Sequence, residues 1–505
     1  MNKLSIYKTI GIILLIILLS SILLYLNRKP AENSDHIRII NLARSFAYEQ
    51  ILNEFSNYSW NLKKDPAMLM IYCEALVESR KEFPHSLKSP PLPAYMAEFA
   101  QAYYNLLSGE IGDAFVRFYN LTNNQDNQDS EIWGYIGLLE ALLYSENIEN
   151  MEFPLEKMQT ILNQYASSVP SWVIPYYSAW YYFYSGKFSE VEKTLQRYSK
   201  NLDPVTFIDL KVQLLIRENH FKEAIEAIKN LPPELLNDQD IIDLESYIIQ
   251  LESGHEAEVK YLHEKHKRFP YMWLIEQRYA EALIESGQID LGVDIFKKLA
   301  SKRPFDIHIQ INLSEKLLYN EKKEVRDILN KLRNNPNVIQ LPQFNVLLAQ
   351  IFWGSGKKDI AQKYLDRARK LYPKNPYLLW LIYDIAMEKH DYDKANQALK
   401  EILELYPNEI SVLASIVELN YLRGEWDELF LTEKKISQSP RYISEETLDK
   451  VKSFKAMAFA AQGKFDEVEK ILAEIKETDT RARIATKIDK YRKVTKEPKR
   501  IKGDF

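Results

Sequence analysis

The amino-acid sequence predicts an all-α protein built as a solenoid of about ten antiparallel helix pairs. The 505 residues include only 14 glycines and 21 prolines, fewer turn residues than strand-rich architectures use. Beyond residue 40, apolar residues recur at the i, i+3, i+4 and i+7 positions of amphipathic helices. Turn residues recur roughly every 34 positions, which indicates a row of similar structural units.

A transmembrane helix is predicted ahead of the solenoid. Residues 1–8 form a short basic tail, and residues 9–26 are an uncharged apolar run. Eighteen helical residues span roughly 27 Å, enough to cross a hydrocarbon core. Because no small-residue cleavage site follows, we interpret residues 9–26 as an uncleaved signal anchor and residues 27–40 as a linker.

The charges on the two sides of this run nearly balance. Lys3 and Lys8 precede it, and Arg28 and Lys29 follow it. Long domains translocate largely regardless of such charges, and a basic-then-apolar start resembles an export signal. We therefore expect a single-pass protein of a bacterial inner membrane with a periplasmic body; a cytoplasmic body is the alternative.

The repeat is visible in segments such as "SGKFSEVEKTLQRY" (185–198) and "SGKKDIAQKYLDRARKLYP" (355–373). Each has a turn, acids at a helix start, and then aliphatic residues. The pattern predicts two antiparallel helices joined by a tight turn, with glycine suited to the left-handed residue that ends the first helix. The turn residues are Gly186, Asn219, Gly254, Gly287, Asn320, Gly356, His390, Gly424 and Gly463.

The chain resembles the tetratricopeptide repeat (TPR) superfamily, and in particular its membrane-anchored bacterial members. The small residue within the first helix matches Ala179, Ala280, Ala349 and Ala456. The alanine early in the second helix matches Ala114, Ala224, Ala361 and Ala395, and the closing proline matches Pro304, Pro373 and Pro407. Val191, Val325, Leu429 and Val468 depart from this pattern and imply wider packing.

This resemblance implies a right-handed superhelix whose concave groove binds a protein or peptide. It covers residues 171–480 as a TPR array and residues 41–170 as a degenerate helical region. A basic helix end and tail, residues 481–505, would follow. Groove positions such as Asp209, Gln213, Gln277 and Glu281 form no lysine ladder, which disfavours a clamp for a peptide's terminal carboxylate.

No residue pattern indicates catalysis. The single cysteine, Cys73, excludes an intramolecular disulfide, and a net charge of −5 gives no reason to expect nucleic acid. His263 and His266 lie one helical turn apart and could share a metal with each other, but we interpret them, with His255, as a solvated helix face. We expect no enzymatic activity, cofactor or metal.

The segment "PYYSAWYYFYSGKF" (175–188) contains eight aromatic residues. By resemblance, one face of its helix points into the groove, as do aromatic residues of later units. Two interpretations remain open for these rings, structural packing and a partner-binding platform. The candidate groove residues are Val173, Tyr176, Trp180, Phe183, Tyr184, Trp353, Tyr377, Trp380 and Tyr421.

The predicted function is a non-enzymatic, membrane-anchored scaffold for protein–protein interactions in the assembly of a cell-envelope complex. Secretion, polysaccharide export, outer-membrane assembly and flagellar or motility structures all fit this description. The alternative is a cytoplasm-facing adaptor that recruits a protease or regulatory enzyme to the membrane. The sequence predicts neither the partner's identity nor the oligomeric state.

Overall fold

A computed structural model describes residues 33–55, 65–84, 92–124, 127–164, 169–318, 322–333 and 338–495. Regular structure within these ranges is helical throughout. Two short 3-10 helices cover Ile148–Met151 and Val338–Gln340. The α-helices of the described ranges are α1 (Asn33–Arg44), α2 (Tyr48–Phe55), α3 (Pro66–Glu78), α4 (Ala94–Leu107), α5 (Ile111–Thr122), α6 (Gln128–Tyr144), α7 (Glu152–Gln164), α8 (Val173–Tyr184), α9 (Phe188–Tyr198), α10 (Pro204–Arg217), α11 (Phe221–Lys229), α12 (Gln239–Ser253), α13 (His255–Arg268), α14 (Trp273–Glu285), α15 (Ile289–Lys302), α16 (Ile307–Leu317), α17 (Lys322–Arg333), α18 (Pro342–Gly354), α19 (Lys358–Leu371), α20 (Pro376–Glu388), α21 (Tyr392–Leu405), α22 (Ile410–Arg423), α23 (Trp426–Ser437), α24 (Glu445–Ala461), α25 (Phe465–Glu474) and α26 (Thr478–Thr495).

Helices α4 to α25 form eleven successive pairs in which each first helix packs against its second helix, and each pair contacts the next through one or both of its helices. This arrangement confirms the predicted all-α array of helix pairs. Helices α1 to α3 precede the array, and α26 packs on the first helix of the last pair.

Local sequence signals set these boundaries, as α10 illustrates. The Asp203 carboxylate caps its N-terminus by accepting from the backbone N–H groups of Val205 and Thr206, and Pro204 occupies the first turn. Asn219, with a φ of 65°, turns the chain into α11. Every predicted turn residue that the structure describes likewise has a positive φ; Asn320 lies outside the described residues.

The predicted anchor, residues 9–26, also lies outside the described residues. Within the part of the chain that the structure describes, no helix combines the length and apolar character needed to cross a membrane.

Consecutive turns of the superhelix contact each other, so that units far apart in sequence touch. Hydrogen bonds join residues separated by 187 to 229 positions, or roughly six units of 34 residues. Arg217 donates to the carbonyls of Glu404 and Leu405, and the Tyr442 N–H donates to the carbonyl of Leu251. Successive superhelical turns are therefore packed against each other.

The hydrophobic core follows this arrangement. Its largest cluster runs from Ile39 to Tyr372 and joins the degenerate N-terminal units to the middle of the array. Residues of one superhelical turn thus bury apolar surface of the next, which an open solenoid with nearest-neighbour contacts would leave exposed.

Candidate functional site

The aromatic residues of α8 lie in the core. Val173, Tyr176 and Trp180 are fully buried, and Phe183 and Tyr184 are 8% and 3% exposed. Together with Val173 and Ala179, the buried rings cover most of the helix surface, which requires neighbours on more than one side; Ser178 and Tyr182 are half-buried. In this conformation these five side chains contact the protein's own chain.

Two different parts of the chain cover these rings. From the preceding unit, Glu140 accepts a 2.5 Å hydrogen bond from the Tyr177 hydroxyl. From the next superhelical turn, the Tyr372 ring meets the Tyr184 ring edge-on at 6.2 Å, and its hydroxyl donates to the Tyr184 carbonyl at 3.4 Å. The face of α8 that the TPR resemblance places in a groove is thus covered by other parts of the same chain.

The candidate aromatics of later units divide into two groups. Tyr377 and Trp380 are buried, whereas Trp353 and Tyr421 are half-buried. The Trp353 indole donates to Glu388, and the ammonium groups of Lys358 and Lys389 lie 4.6 and 4.9 Å from its ring centroid. Trp353 and Tyr421 therefore keep surface that a partner could contact, and that role stays a prediction for them.

The polar groove residues of α10 and α14 are buried as well. The Gln213 amide donates to Asp209 at 3.1 Å, and burial raises the pKa of the Asp209 carboxyl to about 7. Gln277 and Glu281 are 3% and 5% exposed. Asp203, the residue before α10, is also buried. Arg44, at the end of α1, lies 3.6 Å from its carboxylate, so the N-terminal segment supplies a positive charge to this acid.

His263 is exposed and His266 is half-buried. Both pack on Tyr279: the His263 Nδ1 atom is 3.0 Å from its hydroxyl, and the His266 ring stacks on it at 5.8 Å. Burial lowers the pKa of His266. The expected solvated face is therefore confirmed for His263, whereas His266 and His255 are half-buried.

Clefts remain where two superhelical turns meet. One of them has a volume of about 320 Å³, and we call it the aromatic cleft. Phe46 lies 5.8 Å from Tyr48 and 5.6 Å from Tyr271 by ring centroid, and Tyr271 is 51% exposed. The lining residues are Phe46, Tyr48, Glu78, Arg80, Pro270, Tyr271, Trp273, Glu276, Leu299, Lys302, Arg303 and Phe305.

Arg303 organises the wall of this cleft. Its guanidinium lies 4.2 Å above the Trp273 ring and 5.1 Å from Phe305. At the rim, Lys302 pairs with Glu276 at 2.9 Å, and its side chain is 59% exposed. The cleft thus combines exposed aromatic surface with a rim of charged groups.

Sequence reasoning missed this cleft because its two walls lie at least 190 positions apart in the chain. One signal was present: the loop before α14 reads "FPYMW" (269–273), an aromatic-rich connection. Nothing in the sequence indicates that Phe46 and Tyr48 meet it.

Comparison with known proteins agrees with the fold. Residues 385–409, within α20, α21 and the loop that follows, match the family model for a tetratricopeptide repeat. Across 93% of this chain and 91% of the other, the structure is similar to a chain of the crystal structure of the APC/C hetero-tetramer Cut9–Hcn1, with a TM-score of 0.53. At 12% identity this likeness concerns the fold alone.

The crystal structure of yeast Tom70 matches 80% of this chain and 96% of its own at 13% identity, with a TM-score of 0.33. No curated protein matches the chain.

Proposed function

We propose that this chain is a non-enzymatic scaffold that binds other proteins through the aromatic cleft. The observation that carries the proposal is Tyr271, a large side chain left 51% exposed beside Phe46 in an open cleft of about 320 Å³. Exposed aromatic rings are typical of protein interfaces, where they bury much surface at a low cost in conformational entropy.

The chemistry of the cleft favours one kind of ligand. An apolar or aromatic anchor residue fits between Phe46, Tyr48 and Tyr271. An acidic neighbour of that anchor fits the rim, where the Lys302 ammonium and the exposed Arg80 guanidinium lie. An exposed peptide segment of a partner protein, with an acid beside an aromatic residue, meets both requirements.

Analogy supports a role in assembly. The structurally similar chain belongs to the APC/C hetero-tetramer Cut9–Hcn1. Helical superhelices of this kind offer long surfaces and bury their apolar stripes against neighbouring repeats rather than against a substrate. By analogy of fold, we propose that this chain also takes part in an assembly of several proteins.

The test is site-specific photocrosslinking of the full-length chain in native membranes. A benzophenone side chain at position 271 is expected to capture one defined protein, and the same group at Leu431, which is 63% exposed on α23, is not. Tyr271→Ala should lower co-purification of that protein and leave the melting temperature unchanged. Equal capture from both positions would contradict the proposal.

We further propose that the scaffold is tethered to a bacterial inner membrane by residues 9–26 and serves an envelope assembly from the periplasmic side. The uncharged run and its flanking basic residues support this. A tether concentrates partners at the membrane surface. A topology reporter fused after residue 505 distinguishes this from the cytoplasmic adaptor, since cytoplasmic reporter activity would favour the adaptor.

A further inference from the structure

We infer that His255, Glu258 and Glu285 form a binding site for one divalent transition-metal ion, with Zn²⁺ as the expected occupant. His255 is the first residue of α13, Glu258 follows one turn later, and Glu285 ends α14. One ligand atom from each residue lies within 4.8 Å of the other two. This inference is independent of the proposed partner cleft.

The spacing of the atoms suits a coordination sphere. The His255 Nδ1 atom lies 3.1 Å from an Oε2 atom of Glu258 and 3.1 Å from an Oε2 atom of Glu285. Ligands that each lie 2.0–2.2 Å from a tetrahedral Zn²⁺ are about 3.3–3.6 Å apart. Small rotations of the side chains would therefore place all three atoms around one ion.

A hydrogen bond from the imidazole explains this geometry less well than a bound metal ion does. The single Nδ1–H of a histidine can donate fully to one carboxylate, yet two lie at the same distance from it. A cation accepts lone pairs from the nitrogen and from both oxygens. A mixed set of imidazole and carboxylate ligands is typical of Zn²⁺ sites.

The burial and the negative charge of the surrounding side chains also favour a bound cation. The side chains of Glu258 and Glu285 are 0% and 1% exposed. The nearby Arg278 guanidinium is shared among Asp243 at 2.5 Å, Glu258 at 3.2 Å and Glu281 at 3.3 Å. Arg278 thus contacts three buried carboxylates, and the site lies in a region rich in buried acids, where a divalent cation is favoured electrostatically.

Arg278 also orients a ligand. It contacts the Oε1 atom of Glu258, which leaves Oε2 directed at His255. Groups that hold a ligand in this way preorganise metal sites. An entry route exists as well, because His255 is 19% exposed and lines a cavity of about 140 Å³ between two superhelical turns.

The test uses the full-length chain without a histidine tag, stripped with a chelator. Calorimetric titration with Zn²⁺ is expected to show one site per chain and proton release on binding. Co²⁺ should produce visible absorption of low-symmetry coordination. Saturating Zn²⁺ should raise the melting temperature, because the ion binds only the folded state.

Variants locate the site. His255→Gln and Glu285→Gln are expected to weaken binding at least about tenfold while retaining helicity by circular dichroism. His220→Gln is the matched control: His220 also starts a His-x-x-Glu pattern, but it lies 3.6 Å from Glu223 with both side chains about half exposed. This variant should bind like the wild type.

Three results would overturn the inference. One is the absence of stoichiometric Zn²⁺ or Co²⁺ binding to the wild-type chain, which requires no variant to fold. Another is unchanged binding by both His255→Gln and Glu285→Gln. The third is a melting temperature of the wild-type chain that saturating Zn²⁺ leaves unmoved.

Discussion

The Arg303 guanidinium forms two hydrogen bonds, of 2.5 and 2.6 Å, with the carboxylate of Glu78, although 225 residues separate the two in the chain. Glu78 ends α3, and Arg303 directly follows α15. Such a bidentate pair has defined geometry and is stronger than a single hydrogen bond between neutral groups. It joins the first superhelical turn to the second.

Glu78→Gln tests that junction. Loss of the charge should destabilise the chain by about 1.5–3 kcal/mol, since it removes charge-assisted hydrogen bonds in a largely buried site. Urea unfolding measures the change. The control is Glu467→Gln, in a surface pair whose lysine and glutamate side chains are 68% and 48% exposed, where a loss below about 0.5 kcal/mol is expected. Equal losses would argue against packed superhelical turns in solution.

Trp180→Ala tests whether the rings of α8 are core. Trp180 is fully buried, so truncation should cost about 3–5 kcal/mol of unfolding free energy. Trp353→Ala is expected to cost about 1–2 kcal/mol, because that ring is half-buried beneath two lysines. Thermal unfolding ranks the two. A Trp180→Ala chain that melts like the wild type would contradict core packing and favour the partner-binding role predicted for that ring.

Stability should depend on pH through Glu146. Burial raises the pKa of this carboxyl to about 8, and the Asn375 amide donates to it at 3.3 Å from the next superhelical turn. Between an ordinary pKa of about 4.5 and the folded value, the folded state binds the proton more tightly than the unfolded state does. The unfolding free energy therefore falls as pH rises through this window.

Comparison with Glu146→Gln isolates this effect. The wild type should lose stability relative to this variant by as much as about 1.4 kcal/mol per pH unit between pH 5 and 8. Urea unfolding at several pH values measures the difference. Glu149→Gln, an exposed control three residues further on, should run parallel to the wild type. If the unfolding free energies of Glu146→Gln and the wild type changed with pH in the same way, Glu146 would not titrate in this window.

Replacement by alanine should change the stability of the fold in opposite directions at Gly137 and Gly354. A Cβ atom at Gly137 would lie 2.0 Å from the ring of Phe118, which is fully buried where α5 crosses α6. Gly137→Ala should destabilise by about 1–3 kcal/mol through overpacking. At Gly354, in the last turn of α18, no atom lies within 4 Å of the added Cβ, so Gly354→Ala should stabilise by about 0.5–1 kcal/mol. Thermal unfolding should separate the two in sign; a shared sign would contradict the close helix crossing.

The sequence by itself determined the helices, their pairing and the turns between them. These features follow from local chemistry: the 3.6-residue period, capping groups such as Asp203, and left-handed residues such as Gly186 and Asn219. The same local signals identified a groove face on α8, because that face is defined by the periodicity of one helix.

Only the tertiary structure decided what covers that face. The pitch of a superhelix accumulates from small rotations between repeats, and no short segment encodes it. Here the pitch brings Tyr372 onto Tyr184, Arg303 onto Glu78, and Tyr271 beside Phe46. The buried carboxylates around His255 likewise converge from two helices. Which rings are core, and which surface is left for a partner, therefore depends on contacts between residues that are distant in sequence.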